Sequence, residues 1–513
     1  MKASEYKISA EKFVFHSTGE NLHDTKLETK PISYMRDALN RFTKNKASIV
    51  AFFIIALLFL FAMLGPIISP YQVKDEDINY AYAQPKVKLF RELGIHFWDG
   101  GQQKEVNKAT YDLYRGIQEE TGREVIMSEV TTREQEYMGK TTTLYSFRLD
   151  TYNAAGVKFI LLNEQQYKDL QAYQDENNVQ IILPITDPKL RPKAEQDQEN
   201  ANIWYRTKLG AGRKTEIVYD KEGNFVPVYK ENDGKDLYTS KMYWEGDEKL
   251  YNYAEPKDGN MWKIRVDYKE YYAYINRGKG IEEPVFIFGA NNAGKDIFTC
   301  LASGARFSFI LALIVASVNL CVGAIYGAIE GYYGGKIDLI MERIVDLLAS
   351  IPFMIVITLL KYHFDASHIV ILFISFFLTG WTGMAARTRM QFYRFKNQEY
   401  VLVARTLGAR DRRIMFKHIF PNAIGTLITS SVLVIPSVIF SETSLSYLGI
   451  INLSTGNMTS VGTLLATGQN YLFTYPHMIL FPSIFISLLM LCFNLFGNGL
   501  RDAFNPSLRG TEE

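Results

Sequence analysis

Few residues in this chain are of a type and spacing that perform chemistry. The seven histidines, His16, His23, His96, His363, His368, His418 and His477, are scattered, and none stands at a metal-ligand interval from another. Cys300, Cys321 and Cys492 form no C-x2-C pair. Gly289–Lys295 reads GANNAGK, the letters of a phosphate-cradling loop. Asp296 follows, however, where such a loop needs Ser or Thr to hold magnesium. The paired carboxylates Glu119–Glu120 and Glu282–Glu283 lie in polar sequence and read as solvated faces. No G-x-S-x-G or H-E-x-x-H sequence supports a hydrolase. The expectation is a chain with no catalytic, cofactor-binding or metal-binding residues of its own.

What remains are residues placed where charge or bulk is costly. Asp346 and Glu442 fall at the margins of apolar segments, where a carboxylate must face protein or water. They read as residues of a pathway or gate, as helix–helix locks, or as groups solvated at headgroup depth. Gly323, Gly327, Gly331 and Gly335 recur every four residues. On a helix they make one face small, so that a neighbouring backbone can approach closely. A tight contact in a moving bundle and ordinary packing both fit, and Gly334–Gly335 also suits a turn.

The richest constellation is Glu399–Asn422, EYVLVARTLGARDRRIMFKHIFPN. Glu399–Leu407 is helix-forming, and Gly408 interrupts it by permitting a left-handed exit. Asp411 sits near the start of a second helix, where a carboxylate suits the dipole. Pro421 lacks an N–H and fits the first turn of the next apolar segment. The expectation is two short helices at an angle on the membrane surface. Nine bases lie between Arg387 and Lys417. On spacing alone they suit a cytoplasmic partner or anionic lipid headgroups equally.

The elements that position these residues follow from hydropathy. The chain has 513 residues and a formal net charge of +1, which argues against a nucleic-acid binder. Residues 71–290 hold 68 of its 111 charged residues, so one polar block interrupts an otherwise apolar chain. A span needs about 20 apolar residues to cross ~30 Å of hydrocarbon. Six segments approach this: Ala47–Ile68, Phe307–Ile329, Ile344–Leu360, Ile369–Ala386, Ala423–Phe440 and Met478–Phe496. The polar block holds 21 of the 32 tyrosines and four of the five tryptophans, so it reads as folded. It contains no cysteine and needs no disulfide. Asn163 reads as the cap of a helix to Asn177, and Val179–Leu183 and Trp262–Tyr268 as strands. Ile217–Tyr219 and Phe225–Tyr229 read as a hairpin turning through Asp220–Asn224. The fold class is a polytopic α-helical membrane protein of about six spans with an inserted α+β extracytoplasmic domain.

Lys and Arg set the orientation. Arg36, Arg41, Lys44 and Lys46 precede the first span, and the first 46 residues, long, charged and uncleavable by pattern, do not read as a signal peptide. The nine-base loop lies between the fourth and fifth spans, and no base lies between the fifth and sixth. Both termini are expected in the cytoplasm, with Arg501 and Arg509 agreeing, and the polar block outside. The expected division is a cytoplasmic segment at 1–46, a first span at 47–68, and an insert at 69–290. A five-helix core at 291–496 carrying the loop 387–422 follows, then a cytoplasmic tail at 497–513.

The loop resembles the EAA loop of bacterial ABC importer permeases, EAA-x3-G-x9-I-x-L-P. Ala404, Gly408 and Pro421 match; Leu402 and Val403 replace the glutamate and first alanine, and His418 and Phe420 the later apolar pair. RDALNRFTKNKASI, GANNAGKDIFTCLASGARFS, GYYGGKIDLIMERIVDLLASIPF, SETSLSYLGI and FGNGLRDAFNP also resemble stretches of the C-type permease subunit of dipeptide/oligopeptide importers. The resemblance covers roughly 34–69 and 288–507. It implies the type I ABC importer fold and one half of a translocation pathway in a bacterial plasma membrane. The implied partners are a second permease, two cytoplasmic ATPases that hydrolyse the ATP, an extracellular peptide-binding lipoprotein, the peptide itself and membrane lipid. It implies ATPase coupling through Glu399, Ala404, Gly408, Ala409, Asp411, Arg412 and Pro421. The usual member has a short connection between its first two spans, so no role carries over to the insert. The alternative is an anchored receptor that binds an external ligand through 69–290, for which the 17 residues after Phe496 are too short to hold a signalling domain.

Overall fold

The computed structural model describes residues 34–137, 140–196, 199–210, 215–232, 251–454 and 458–504. His16, His23, Arg509 and most of the two terminal segments lie outside the described residues. Helix α1 (Tyr34–Lys44) runs into α2 (Lys46–Ile68), whose first turn is capped by Asn45 accepting from the Ser48 N–H. Past Lys46, α2 carries no charge and leaves Phe53, Leu57, Ile67 and Ile68 exposed, the all-round apolarity of a lipid-facing helix.

The chain then builds the inserted domain. After α3 (Lys88–Glu92) come β1 (Gly101–Asn107), α4 (Lys108–Thr121), β2 (Thr131–Tyr137) and β3 (Lys140–Asp150). The three strands form an antiparallel sheet in the order β1-β3-β2. Ile117 of α4 packs with Phe147 and Leu149 of β3. Next follow β4 (Val157–Asn163), α5 (Glu164–Asn177), β5 (Ile182–Leu183), α6 (Lys193–Gln196), β6 (Thr207–Leu209) and β7 (Thr215–Ile217). The domain closes with β8 (Ala254–Lys257), β9 (Met261–Asp267) and α7 (Tyr268–Asn276). Strand β9 is central, paired with β4, β5 and β8, and carries the fully buried Ile264, Arg265 and Val266.

Several local expectations hold, and others are corrected. Asn163 caps α5 through a full capping box with Gln166, and the helix runs to Asn177. The strand expected at Val179–Leu183 shrinks to Ile182–Leu183, because the Gln174 side chain takes the N–H groups of Ile181 and Ile182. The turn at Asp220–Asn224 forms, but the flanking hairpin is a single bridge, Tyr219 to Phe225. Pro227 cannot donate to a ladder, and β7 pairs with β6 instead. Nor are the carboxylate pairs uniformly solvated. Glu120 is buried and receives both arms of the Arg265 guanidinium, each at 2.5 Å. Successive helix positions point about 100° apart, so Glu119 stays on the surface while Glu120 turns inward. Glu283 lies among Lys86, Lys88 and Lys269 at 3.5, 3.2 and 3.3 Å.

The remaining helices are α8 (Ile297–Tyr333), α9 (Gly335–Ser350), α10 (Phe353–His363), α11 (His368–Thr379), α12 (Thr382–Phe395) and α13 (Glu399–Thr406). After α14 (Asp411–Arg413), α15 (Phe420–Val432) and α16 (Val434–Tyr447) come α17 (Val461–Gln469) and α18 (His477–Phe504). Among the described residues, five helices are long and apolar enough to span: Lys46–Ile68, Ile297–Tyr333, His368–Phe395, Asp411–Tyr447 and His477–Phe504. The expected third span, Ile344–Leu360, is not one straight helix. It is the junction of α9 and α10, bent by 77° where Pro352 breaks the helical ladder. That pair makes at most a sixth crossing. Helix α8 is the hub, packing against α2, α12, α15 and α16.

Aromatic rings key the insert to the start of α18. Tyr82 stacks on Tyr475 at 4.3 Å, and Trp98 on Phe481 at 5.8 Å. Both residues hold left-handed backbone, φ 63° and 61°, a costly conformation for bulky side chains.

Candidate functional site

At the end of α8 remote from the insert, small residues and ion pairs set the arrangement. Gly323, Gly327 and Gly331 face α12. A Cβ on Gly327 would press into the Ala385 carbonyl, and one on Gly331 into Phe392 Cβ and the Arg389 carbonyl. The expected four-glycine stripe stops there: Gly335 has open space around it and a left-handed φ of 57°, and with Gly334 it forms the turn into α9.

Close approach brings one guanidinium among three acids. Arg389 of α12 lies 2.6 Å from Asp338 and 3.5 Å from Glu342 of α9, and 3.3 Å from the fully buried Glu330 of α8. Tyr393 donates to Asp338 at 2.6 Å, and Lys396 to the Gly331 carbonyl at 2.9 Å. Composition alone could not single out Arg389, which reads as one of nine topology-setting bases. The signal present was Asp338 and Glu342 one helical turn apart, a face that needs a cation.

The loop residues assemble on this frame. On α13, Val401 is buried against Tyr332, Phe392, Ile414, Met415 and Ile419, and Ala404 is buried one turn on. Its other face exposes Leu402, Val403 and Leu407, the last at 82 %. Gly408 takes φ 80°, and its N–H returns to the Arg405 carbonyl, closing the helix. The turn carries Ala409, half-buried, to Asp411, which accepts from the Tyr332 hydroxyl at 2.6 Å. Glu399 and Arg412 stand exposed. The second short helix is not separate, which corrects the expectation. Asp411–Arg413 passes through a π-helical turn, Ile414–Ile419, into α15 as one continuous helix. Pro421 has no N–H for the preceding turn; the wider π ring and the Asn422 side chain, donating to His418 O at 2.9 Å, absorb that loss.

The two marginal acids part company. Glu442 is fully buried and accepts from Ser308 of α8 at 2.7 Å and from Ser446 at 3.0 Å, bridging α16 to the hub. Asp346 is exposed and pairs with Arg343 at 3.1 Å. In GANNAGK, Asn291 Oδ1 accepts from the Ala293 and Lys295 N–H groups, and Lys295 pairs with Glu76 at 2.9 Å. The donors that would cradle a phosphate are spent. Among the described residues no group of His, Cys, Asp and Glu is gathered for a metal.

The frame of apolar helices carrying a buttressed loop has close relatives. Residues 319–510 match the family described as "Binding-protein-dependent transport system inner membrane component", and residues 33–85 match "N-terminal TM domain of oligopeptide transport permease C". The chain is 41 % identical over 222 residues to the oligopeptide transport system permease protein OppC of Bacillus subtilis (strain 168), covering 43 % of this chain and 72 % of that one. It is 35 % identical over 266 residues to the dipeptide transport system permease protein DppC of Lactococcus lactis subsp. cremoris (strain MG1363), covering 52 % of this chain and 72 % of that one. The chain belongs to the C-type permease family of dipeptide/oligopeptide ABC importers.

It is therefore a multi-pass membrane permease. The two family matches bracket residues 86–318, so most of the inserted domain lies between the stretches that define the family. The Glu399–Pro421 loop, the glycine face and the Arg389 cluster all fall inside the second stretch.

Proposed function

We propose that this permease subunit forms one half of the pathway of an ATP-driven oligopeptide importer in a bacterial plasma membrane. Its bundle takes the type I ABC importer fold, its termini lie in the cytoplasm and its insert lies outside. A second permease of similar fold, two cytoplasmic ATPases and an external peptide-binding lipoprotein complete the machine. ATP is hydrolysed by the ATPases, and this chain is non-catalytic. The relatives' transport of oligopeptides and dipeptides, as their names state, supports a peptide substrate.

The observation that carries the coupling role is the two-faced helix α13. Val401 is fixed in the bundle core and Ala404 is buried, while Leu402, Val403 and Leu407 present apolar surface to water. An exposed apolar crest on a buttressed element is a docking surface. A push on it reaches α8 through the Asp411–Tyr332 hydrogen bond and α12 through Phe392. The glycine contact makes α8 and α12 one rigid body, so ATPase closure tips both. Glu442 then locks α16 to the same body, and Asp346, paired to Arg343, stays outside it. The insert, seated over the start of α18, receives the binding protein or the peptide.

The test is Leu402→Asp with Leu407→Asp. The double variant is expected to insert normally, to lose co-purification of the ATPases, and to lose peptide uptake. Retained co-purification and uptake at parental expression would refute the docking role.

A further inference from the structure

The structure assigns a second, non-spanning membrane contact: the Lys88–Trp98 segment of the insert is seated in the lipid interface beside α2 and α18. The segment reads KLFRELGIHFW, and folding sorts its residues by chemistry. Arg91 turns inward to Asp150 at 2.6 Å, and Lys88 reaches Glu283 at 3.2 Å. Leu89, Leu93, Ile95 and Phe97 point outward, 58, 64, 43 and 64 % exposed. Gly94, at φ 67°, reverses the chain between the two apolar pairs. The polar exceptions are Glu92 and His96, both at the surface where headgroups and water meet.

Depth decides what covers this patch. Trp98 stacks on Phe481 at 5.8 Å and 12°, and Phe90 stacks on Trp98 at 6.1 Å. Counted back from Arg501, the charge that ends the apolar part of α18, the 20 charge-free residues Phe481–Leu500 reach Phe481. Those residues span about 30 Å, the hydrocarbon thickness, so Phe481 marks its edge on the insert side. Trp98 is then at the interface, where tryptophan is favoured, and the four exposed residues continue the apolar surface of the bundle outward. The neighbouring spans are the least buried: 17 % of the apolar window of α2 and 28 % of that of α18. Lipid is the medium that already surrounds them. A short amphipathic segment with apolar residues at this depth lies in the interface plane.

The experiment uses the full chain with Cys321→Ser, which removes the exposed thiol; Cys300 and Cys492 are buried. Single cysteines at Leu93 and Phe97, and a control at Glu134 on exposed β2, carry nitroxide labels in phosphatidylcholine/phosphatidylglycerol vesicles. At 93 and 97, collisions with oxygen should exceed those with a water-soluble nickel chelate several-fold, and the order should reverse at 134. Brominated lipid should quench a fluorophore at 93 and 97 but not at 134. Free access of the chelate to 93 and 97 in vesicles overturns the proposal. So does protection that arises only when another protein subunit is added, which would make the patch a protein interface.

Discussion

The inserted domain and the helical bundle solve the same problem of burying polar groups in opposite ways. The insert buries complete ion pairs. Glu120 and Arg265 are both solvent-free, with Tyr229 and the Ala201 and Pro184 carbonyls meeting the remaining donors and acceptors. Side-chain networks there join elements that no strand ladder connects, as Glu120 of α4 joins Arg265 of β9. The bundle has few buried charges and closes by removing side chains. Gly323, Gly327 and Gly331 bring two backbones together; of its buried carboxylates, Glu442 is satisfied by neutral serines and Glu330 lies beside Arg389. In water the hydrophobic effect holds a core around costly ion pairs; in lipid that drive is missing between helices, and close packing must substitute.

The sharpest way to break the comparison is to remove one member of the insert's pair. Glu120→Ala leaves the Arg265 guanidinium buried and uncompensated, at a cost of about 3–5 kcal/mol. Limited proteolysis should cut the insert of that variant while the bundle stays intact and inserted. The paired change Glu120→Leu with Arg265→Met should recover much of the loss. Equal loss in single and double variants would mean that packing, not charge, holds this core.

The bundle's counterpart is Gly327→Val. Overpacking a tight contact costs about 1–3 kcal/mol, and the Ala385 carbonyl has no room to yield. The expected result is a lower melting temperature in detergent and reduced uptake, with the insert's protease resistance unchanged. A parental melting temperature and uptake would show that the stripe does not hold α8 to α12.

How much of this was legible beforehand differs between the two regions for the same reason. Membrane spans announce themselves because lipid forbids charges over 20 residues, and the loop is readable because Gly408 and Pro421 each force a local geometry. Pro352 also forced one, but a kink and a span carry the same hydropathy, so the bend between α9 and α10 was hidden. In the insert, capping at Asn163 is a local signal and was readable. Glu120–Arg265 joins residues on α4 and β9, and Arg389 gathers acids from α8 and α9. Asp338 and Glu342, one turn apart, hint at a cation, but no local pattern names Arg389 or Arg265 as the partner, because the partner is supplied by the fold.

A smaller effect separates backbone from docking at Gly408. Asparagine tolerates left-handed backbone better than most residues, at a modest strain, and nothing in the chain lies within 4 Å of a Cβ there. Gly408→Asn should therefore cost under about 1 kcal/mol and keep most uptake. Gly408→Asp has almost the same shape with a charge. Inside this chain it stays in water, and only against an apolar partner does the charge become buried. Uptake lost by Asp and kept by Asn, at equal expression, locates the partner at this turn; equal uptake removes it.

The last effect concerns pH, and it again sets the two regions apart. Burial tends to raise the Glu283 carboxyl, but Lys86, Lys269 and Lys88 outweigh it and hold it down to about 2. A group lowered in the folded state stabilises it above the unfolded value, near 4.3, and loses that contribution as pH falls toward the folded value. The insert should thus lose on the order of 1–2 kcal/mol between roughly pH 4.5 and 2, a figure discounted because the carboxyl is partly solvated. Glu283→Gln removes the titration, so its stability should be lower at neutral pH and flatter across that window. Chemical denaturation followed by the fluorescence of the insert's tryptophans, at pH 7, 4.5 and 3, measures the difference. If the parent and Glu283→Gln lose stability in parallel as pH falls, the lysine cluster contributes nothing to the insert, and its acid sensitivity arises elsewhere, as at Asp99, whose carboxyl burial tends to raise but Arg148 holds down.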